Sequence, residues 1–410
     1  MSTRNGQRVA VVLSGGGANG AYEVGVLKGL MSGKSPATGY QPLDPDIITG
    51  TSIGALNAAF LVSQWGEHGP ATAAGHLERF WLQEMAGSVR SNGVFRLRGN
   101  PLELLDPETY APNPLAPFLR LAADGGFLAW ESLQRLVTLF RQPRLLSNLE
   151  RHLLQLVDIS LFIDVSPFEG TLRKLDYGAI QQSGKKLRVA ATNWATGELR
   201  VFKNQDMTGD FGPIALRASA AVPGIFPPAE FGAQPFVDGS VLLNTPLSLA
   251  TGAGADVVHV IYLDPKVSNI PLVRIPQSFS TMQRMFQIGW ANAYTSDVEA
   301  AARINRSLAA LETARTKLKP DGAGVELLQE VAQVRPPDRG PLRRLTIHRY
   351  HPRDPLPGEL SFLNFDPDRI ASLIERGYQD AIRHDDEEAK DVFADAEDLA
   401  KRFNPRRMIA

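Results

Sequence analysis

Cysteine occurs nowhere in this 410-residue chain. Disulfides, thiol nucleophiles and thiolate metal sites are therefore excluded. An excess of one charge is lacking too. Lys and Arg number 43 against 44 Asp and Glu, so no net field selects nucleic acid or an anionic surface. No run of 18 consecutive apolar residues occurs, so no spanning helix is expected. Met1 to Arg8 is short and polar and lacks the apolar centre of a secretion signal. The expectation is a cytoplasmic protein, with any membrane contact peripheral. What is present suffices for a core: 43% of residues are hydrophobic and 21% charged. The length fits one large α/β domain or two ordinary ones.

Arg8 to Ser14 is β-branched and almost continuously apolar, as a strand buried on both faces should be. Glycines 15, 16, 17 and 20 follow, then a helical stretch, Ala21 to Met31. A second strand, Ile47-Ile48-Thr49, ends at Gly50, and a small-residue helix runs from Ile53 to Ser63. Strand, tight turn and helix thus occur twice in 65 residues. The fold class is α/β, with a mostly parallel sheet and a site at the carboxyl ends of its strands.

Residues 85–170 read as a helical insertion or cap. Its stretch Trp130, Leu133, Leu136, Val137 and Phe140, with Arg135, Arg141 and Arg144 among them, fits either an interfacial helix or one packed on the sheet. Ile288, Trp290 and Tyr294 leave the same two readings. Later strands are predicted at Leu187–Thr192, with Glu198–Phe202 as hairpin partner, and at Phe236-Val237, Val257–Leu263 and Arg344–Tyr350. Pro276–Ala314 reads as helix. Asp366 is a good N-cap with Pro367 at the first helical position, and Asp385–Phe403 reads as an acidic docked helix. The chain divides into 1–365 as catalytic domain and 366–410 as a helical extension packed on it.

Gly50-Thr51-Ser52-Ile53-Gly54 is G-x-S-x-G in a strand–turn–helix setting, which a nucleophile elbow requires. Gly50 and Gly54 keep the turn free of side chains, and Ser52 falls at a helix N-terminus, where developing negative charge is favoured. Gly15-Gly16-Gly17-Ala18-Asn19-Gly20 also matches the dinucleotide fingerprint G-x-G-x-x-G. That rival, an NAD-dependent oxidoreductase, needs an acid at the end of the second strand. Asp44 and Asp46 precede that strand instead. The glycines serve equally as an oxyanion hole.

A hydroxyl nucleophile needs a base. The seven histidines lie in strand, helix or loop contexts without a turn signature. Asp238-Gly239-Ser240 ends a short strand and is the better candidate. It lies downstream of Ala218-Ser219-Ala220-Ala221-Val222-Pro223-Gly224-Ile225-Phe226-Pro227-Pro228.

With these four motifs in order, from Gly15 to Ser240, the chain resembles the patatin-like phospholipases, a family similar to cytosolic phospholipase A2. Asp164-Val165-Ser166-Pro167, Ala191-Thr192-Asn193 and Thr196-Gly197-Glu198 look like family segments as well. The resemblance implies an α/β/α sandwich and lipid acyl hydrolysis, of phospholipase A or lysophospholipase type. It implies a catalytic dyad, with Ser52 attacking an ester carbonyl and Asp238 taking its proton. Backbone groups of Gly15, Gly16, Gly17 and Ile53 would hold the oxyanion, and water would then release the acyl-enzyme. No metal or organic cofactor is implied. The expected partner is a lipid or ester substrate, not nucleic acid. Two positions depart from the family pattern: Asn19 replaces a basic residue in the glycine loop, and Ser240 replaces Gly or Ala after Asp238-Gly239. A non-catalytic lipid-binding relative is the second alternative, disfavoured because Ser52 and Asp238 are both present.

Overall fold

The computed structural model describes residues 6–88, 90–99, 116–140, 162–263, 278–317, 344–353, 356 and 361–394. The strands are β1 (Val9–Leu13), β2 (Ile47–Thr51), β3 (Arg96–Leu97), β4 (Ile163–Asp164), β5 (Lys186–Asn193), β6 (Leu199–Lys203), β7 (Ala229–Phe231), β8 (Gln234–Asp238), β9 (Val257–Ile261) and β10 (Thr346–Tyr350). The helices used below are α1 (Gly20–Met31), α2 (Ile53–Ser63), α3 (Ala116–Phe140), α4 (Gly212–Ser219), α5 (Leu247–Gly252), α6 (Ser278–Lys317), α7 (Pro367–Ile382) and the single turn α8 (Asp386–Ala389).

Strands β10, β9, β1, β2 and β5 run parallel in that order, and β6, β8 and β7 add an antiparallel end. Alternation along β1 explains the layering. Val11 and Leu13 enter one core with α1, α2 and α7, while Ala10 and Val12 enter a second with α5 and α6. Every residue from Ala10 to Leu13 is fully buried, as a central parallel strand requires. The result is the expected α/β/α sandwich. Tyr294 of α6 packs into the second core, whereas Ile288 is exposed. The side chain of Trp290 lies outside the described residues.

The pairing of β5 positions the site. On one edge it carries β6 along Arg188–Thr192. On the other, β2 pairs parallel as far as Thr51↔Ala190, and β8 then pairs antiparallel from Ala191↔Asp238. Strands β2 and β8 therefore share one edge of β5 and run toward each other, carboxyl end to carboxyl end.

Between β2 and β5 the chain forms α3 and the β3–β4 pair. Arg96 ties these together, its guanidinium reaching Asp124 of α3 at 2.7 Å and Asp164 of β4 at 2.8 Å. Helix α3 exposes apolar side chains: Phe118, Leu119, Trp130 and Leu133 are each more than half accessible. The side chains of Leu136, Val137 and Phe140, with Arg135, Arg141 and Arg144, lie outside the described residues.

The acidic helix expected over Asp385–Phe403 is corrected. Among the described residues of that stretch only Asp386–Ala389 is helical; Lys390 then turns left-handed (φ 56°) and Val392 makes a bridge with Ile347 of β10. An unfilled edge strand offers backbone partners that compete with helix continuation. Residues 395–410 lie outside the described residues.

Candidate active site

Ser52 stands between β2 and α2 with φ 56° and ψ −126°. This region is nearly closed to residues with a Cβ and costs about 1–3 kcal/mol. Both flanking glycines are needed for close approach. A Cβ on Gly50 would strike the Gly54 carbonyl, and one on Gly54 would stand 2.6 Å from the Ser14 carbonyl oxygen. The strained turn thus holds Ser52 up at the start of α2, only 7% exposed, in the wall of a cavity.

Asp238 ends β8 and is fully buried. Its Oδ1 accepts the Ser240 N–H at 2.8 Å. No described donor bonds its Oδ2. Burial pushes its carboxyl up to about 6, while Ser240 and the nearby Ser52 hydroxyl act to lower it. From the sequence, Asp238 is expected at the carboxyl end of its strand, on the edge where Ser52 sits; the strand directions explain how the two ends meet. β8 is antiparallel, and the adjacent pairs Thr51↔Ala190 and Ala191↔Asp238 bring the two chain ends level.

The glycine loop follows β1. Gly17 is left-handed (φ 56°), and a Cβ there would collide with the Phe362 carbonyl. Among the described residues nothing accepts from the N–H groups of Gly16, Gly17 or Ile53, and all three residues line the cavity. Gly15, expected as a donor, is corrected: its N–H is committed to Asn244, at 3.1 Å from Oδ1 and 3.2 Å from the carbonyl.

Several supporting residues were not foreseen. Ser219 Oγ accepts the Ser52 N–H at 2.9 Å, and the Ala221 carbonyl accepts the Asp238 N–H at 2.9 Å. The Ala218–Pro228 stretch is therefore a strut between the two residues. Buried Glu23 accepts the Ser14 N–H at 2.8 Å and the Asn57 amide at 2.9 Å, joining the glycine loop to α2. Asn19 brings no charge, but one arrives from α7, where Arg369 Nη2 donates to Asn19 Oδ1 at 2.7 Å. Such long-range partners have no signature in local sequence. The motif serine Ser219 was in view, without a role.

The cavity measures about 1080 Å³, counting space open to solvent, and is walled largely by Val94, Phe168, Val222, Ile225, Phe226 and Phe362. Arg217 is a cation in its lining, paired with Glu169 at 3.1 Å. No histidine lines it among the described residues. His259 sits on β9 with Nδ1 3.1 Å from the Tyr350 hydroxyl, His76 bonds Gln64, and His152 lies outside the described residues. The dinucleotide reading fails in the structure as well. Asp46 accepts the Val9 N–H, and Asp44 bonds Trp65 and Lys185.

A sequence profile described as "Patatin-like phospholipase" matches residues 11–251, more than half of the chain. The chain belongs to the patatin-like phospholipase family. It is a serine hydrolase acting on esters, a lipid acyl hydrolase. Ser361, Phe362, Leu363 and Phe365 lie beyond the matched stretch yet line the same cavity. Among solved structures, VipD from Legionella pneumophila is similar at 15% identity and TM-score 0.37, covering 93% of this chain and 69% of its own. The type III effector ExoU is similar at 19% identity and TM-score 0.24, covering 80% of this chain. The patatin-like chain spans 63% of that ExoU structure, and 61% of ExoU from Pseudomonas aeruginosa in complex with SpcU, at 15% identity and TM-score 0.25. Likenesses at this level add nothing about activity. No helix among the described residues is long and apolar enough to cross a membrane.

Proposed function

We propose that this patatin-like enzyme hydrolyses phospholipid or lysophospholipid acyl esters with a Ser52–Asp238 dyad. The observation that carries this reading is the convergence of β2 and β8 on one edge of β5, which sets a strained serine against a buried carboxylate in an apolar cavity. Asp238 Oδ2 accepts the hydroxyl proton as Ser52 Oγ attacks the ester carbonyl. The N–H groups of Gly16, Gly17 and Ile53 receive the oxyanion, helped by the positive end of α2. Collapse of the tetrahedral intermediate expels the alcohol, which takes the proton from Asp238. Water, deprotonated by the same carboxylate, then attacks the acyl-enzyme and frees the fatty acid. A base near 6 is ionised at neutral pH and still basic enough to receive a proton.

The apolar wall suits an acyl chain, and Arg217 in the lining suits a headgroup phosphate. The exposed apolar residues of α3 support peripheral contact with a lipid surface.

The test is hydrolysis of a short-chain p-nitrophenyl ester and of phospholipid vesicles by wild type, Ser52→Ala and Asp238→Asn, with folding checked by circular dichroism. Both variants are expected near background on both substrates. Fluorophosphonate should label wild type and not Ser52→Ala. Full activity in Ser52→Ala would remove it as nucleophile, and full activity in Asp238→Asn would remove the aspartate as base.

A further inference from the structure

At the β10 edge of the sheet, four side chains that play no part in ester hydrolysis converge. They are His348 of β10, His384 just after α7, Asp386 in α8, and Asp391 just beyond it. Each contributes one ligand atom, and the four atoms lie within 4.8 Å of one another. Around the ring, His348 Nδ1 is 2.6 Å from Asp391 Oδ2, which is 2.9 Å from His384 Nε2. His384 Nε2 is 3.3 Å from Asp386 Oδ1, which is 3.7 Å from His348 Nδ1. Ligands about 2.0–2.1 Å from a tetrahedral zinc stand roughly 3.3 Å apart, and these four spacings bracket that value.

The surroundings are those of a built site. The side chains of His348 and Asp391 are fully buried, and His384 nearly so. Asp386 Oδ1 is buried and makes no aligned hydrogen bond, although two imidazole nitrogens lie within reach. The other oxygen of Asp391 accepts the Arg349 N–H at 2.8 Å, which orients the carboxylate and leaves Oδ2 facing the cluster. The left-handed turn at Lys390 is what returns Asp391 toward His384. Two carboxylates this close in a buried site must share a proton or have positive charge beside them. Two imidazolium ions or one divalent cation would supply that charge.

We infer that His348, His384, Asp386 and Asp391 form a structural binding site for a divalent transition ion, zinc by ligand type and geometry. Mixed imidazole and carboxylate donors in a four-fold set suit zinc better than calcium or magnesium. With both imidazoles neutral, the ion and two carboxylates are electrically balanced. All four positions are filled by protein, so the ion has no open position for substrate, and its role is mechanical. It fastens residues 384–391 to an edge strand. The next residues continue that attachment: Val392 exchanges both backbone bonds with Ile347, at 2.7 and 2.9 Å, and the Ala394 N–H donates to Thr346 Oγ1. Protons are the competing occupants.

Metal analysis and calorimetric titration of the full chain decide between the two states. Chelator-treated wild type is expected to take up about one zinc per chain, with a higher melting temperature. Cobalt(II) should give the intense visible bands of a four-coordinate site. His384→Ala and the near-isosteric Asp386→Asn should each weaken zinc binding by more than about tenfold, while circular dichroism reports the fold intact. Failure of folded wild type to bind zinc, cobalt or manganese would overturn the inference and leave an ion-pair network. Zinc bound equally by wild type and both variants would place the ion elsewhere and overturn it too.

Discussion

The turns after β1 and β2 begin alike and end in opposite chemistry. Both follow buried parallel strands, and both open helices of the same core. After β1, the run Gly15-Gly16-Gly17 strips away side chains, so that only backbone faces the cavity. After β2, Gly50 and Gly54 clear the neighbourhood so that one side chain, Ser52, can stand where side chains are rarely tolerated. Each turn holds one residue at φ 56°, a glycine in the first and a serine in the second. The same positive φ thus serves donors in one place and a nucleophile in the other. What differs is which atoms the sequence leaves uncovered.

That contrast can be broken first at the serine. Ser52→Ala keeps the turn but removes its chemistry, and kcat on any ester should fall by about three orders of magnitude or more. At the other turn, Gly17→Ala should cost roughly a hundredfold in kcat. A Cβ there meets the Phe362 carbonyl and moves the donors from the oxyanion. A smaller loss in Gly17→Ala than in Ser219→Ala would reverse the assigned importance of the two turns.

Asp238 gives a prediction of the opposite sign for stability. The folded chain holds this proton more tightly than the unfolded one, because burial raises the carboxyl from 3.8 to about 6. Ionisation therefore opposes folding as pH rises from about 4 and does so fully above about 6. Asp238→Asn should be inactive yet more stable at pH 8, by up to roughly 3 kcal/mol, with no gain near pH 4. Denaturant melts at the two pH values check it. In wild type, kcat/KM should fall about tenfold per pH unit below about 6, since the base must be ionised.

Ser219→Ala leaves both turns in place and removes one hydrogen bond to the Ser52 N–H. A loss of about 1 kcal/mol, read as a threefold to tenfold fall in kcat, is expected. The smallest effect on chemistry should come from α3. Trp130→Glu with Leu133→Glu should reduce vesicle hydrolysis and vesicle binding but leave short-ester kcat within about twofold, because both side chains face solvent. Unchanged vesicle binding would remove α3 as a lipid contact.

The two turns were also the most legible part of the sequence. Strand, glycine turn and helix are local patterns, and α2 runs from Ile53 to Ser63 as its composition predicts. Asp238 was legible through the motif ahead of it, but its position depends on an antiparallel register that no local pattern encodes. Asn244, Glu23 and Arg369 act across long stretches of chain, and each reads locally as an ordinary polar residue. The acidic segment after Asp385 misled for a related reason. Its helix-forming residues were read without the edge strand that pairs with Val392.

The tandem seating of β2 and β8 along β5 has one more consequence. β5 works as a ruler, and the gap between nucleophile and base is read off two consecutive graduations, Ala190 and Ala191. Slipping either strand by one residue would change that gap by about 3.3 Å and turn the side chain to the other face. The turn between β5 and β6, residues 194–198, can therefore vary in length with little effect on the spacing, whereas a single residue added inside β5 or β8 would put nucleophile and base out of step.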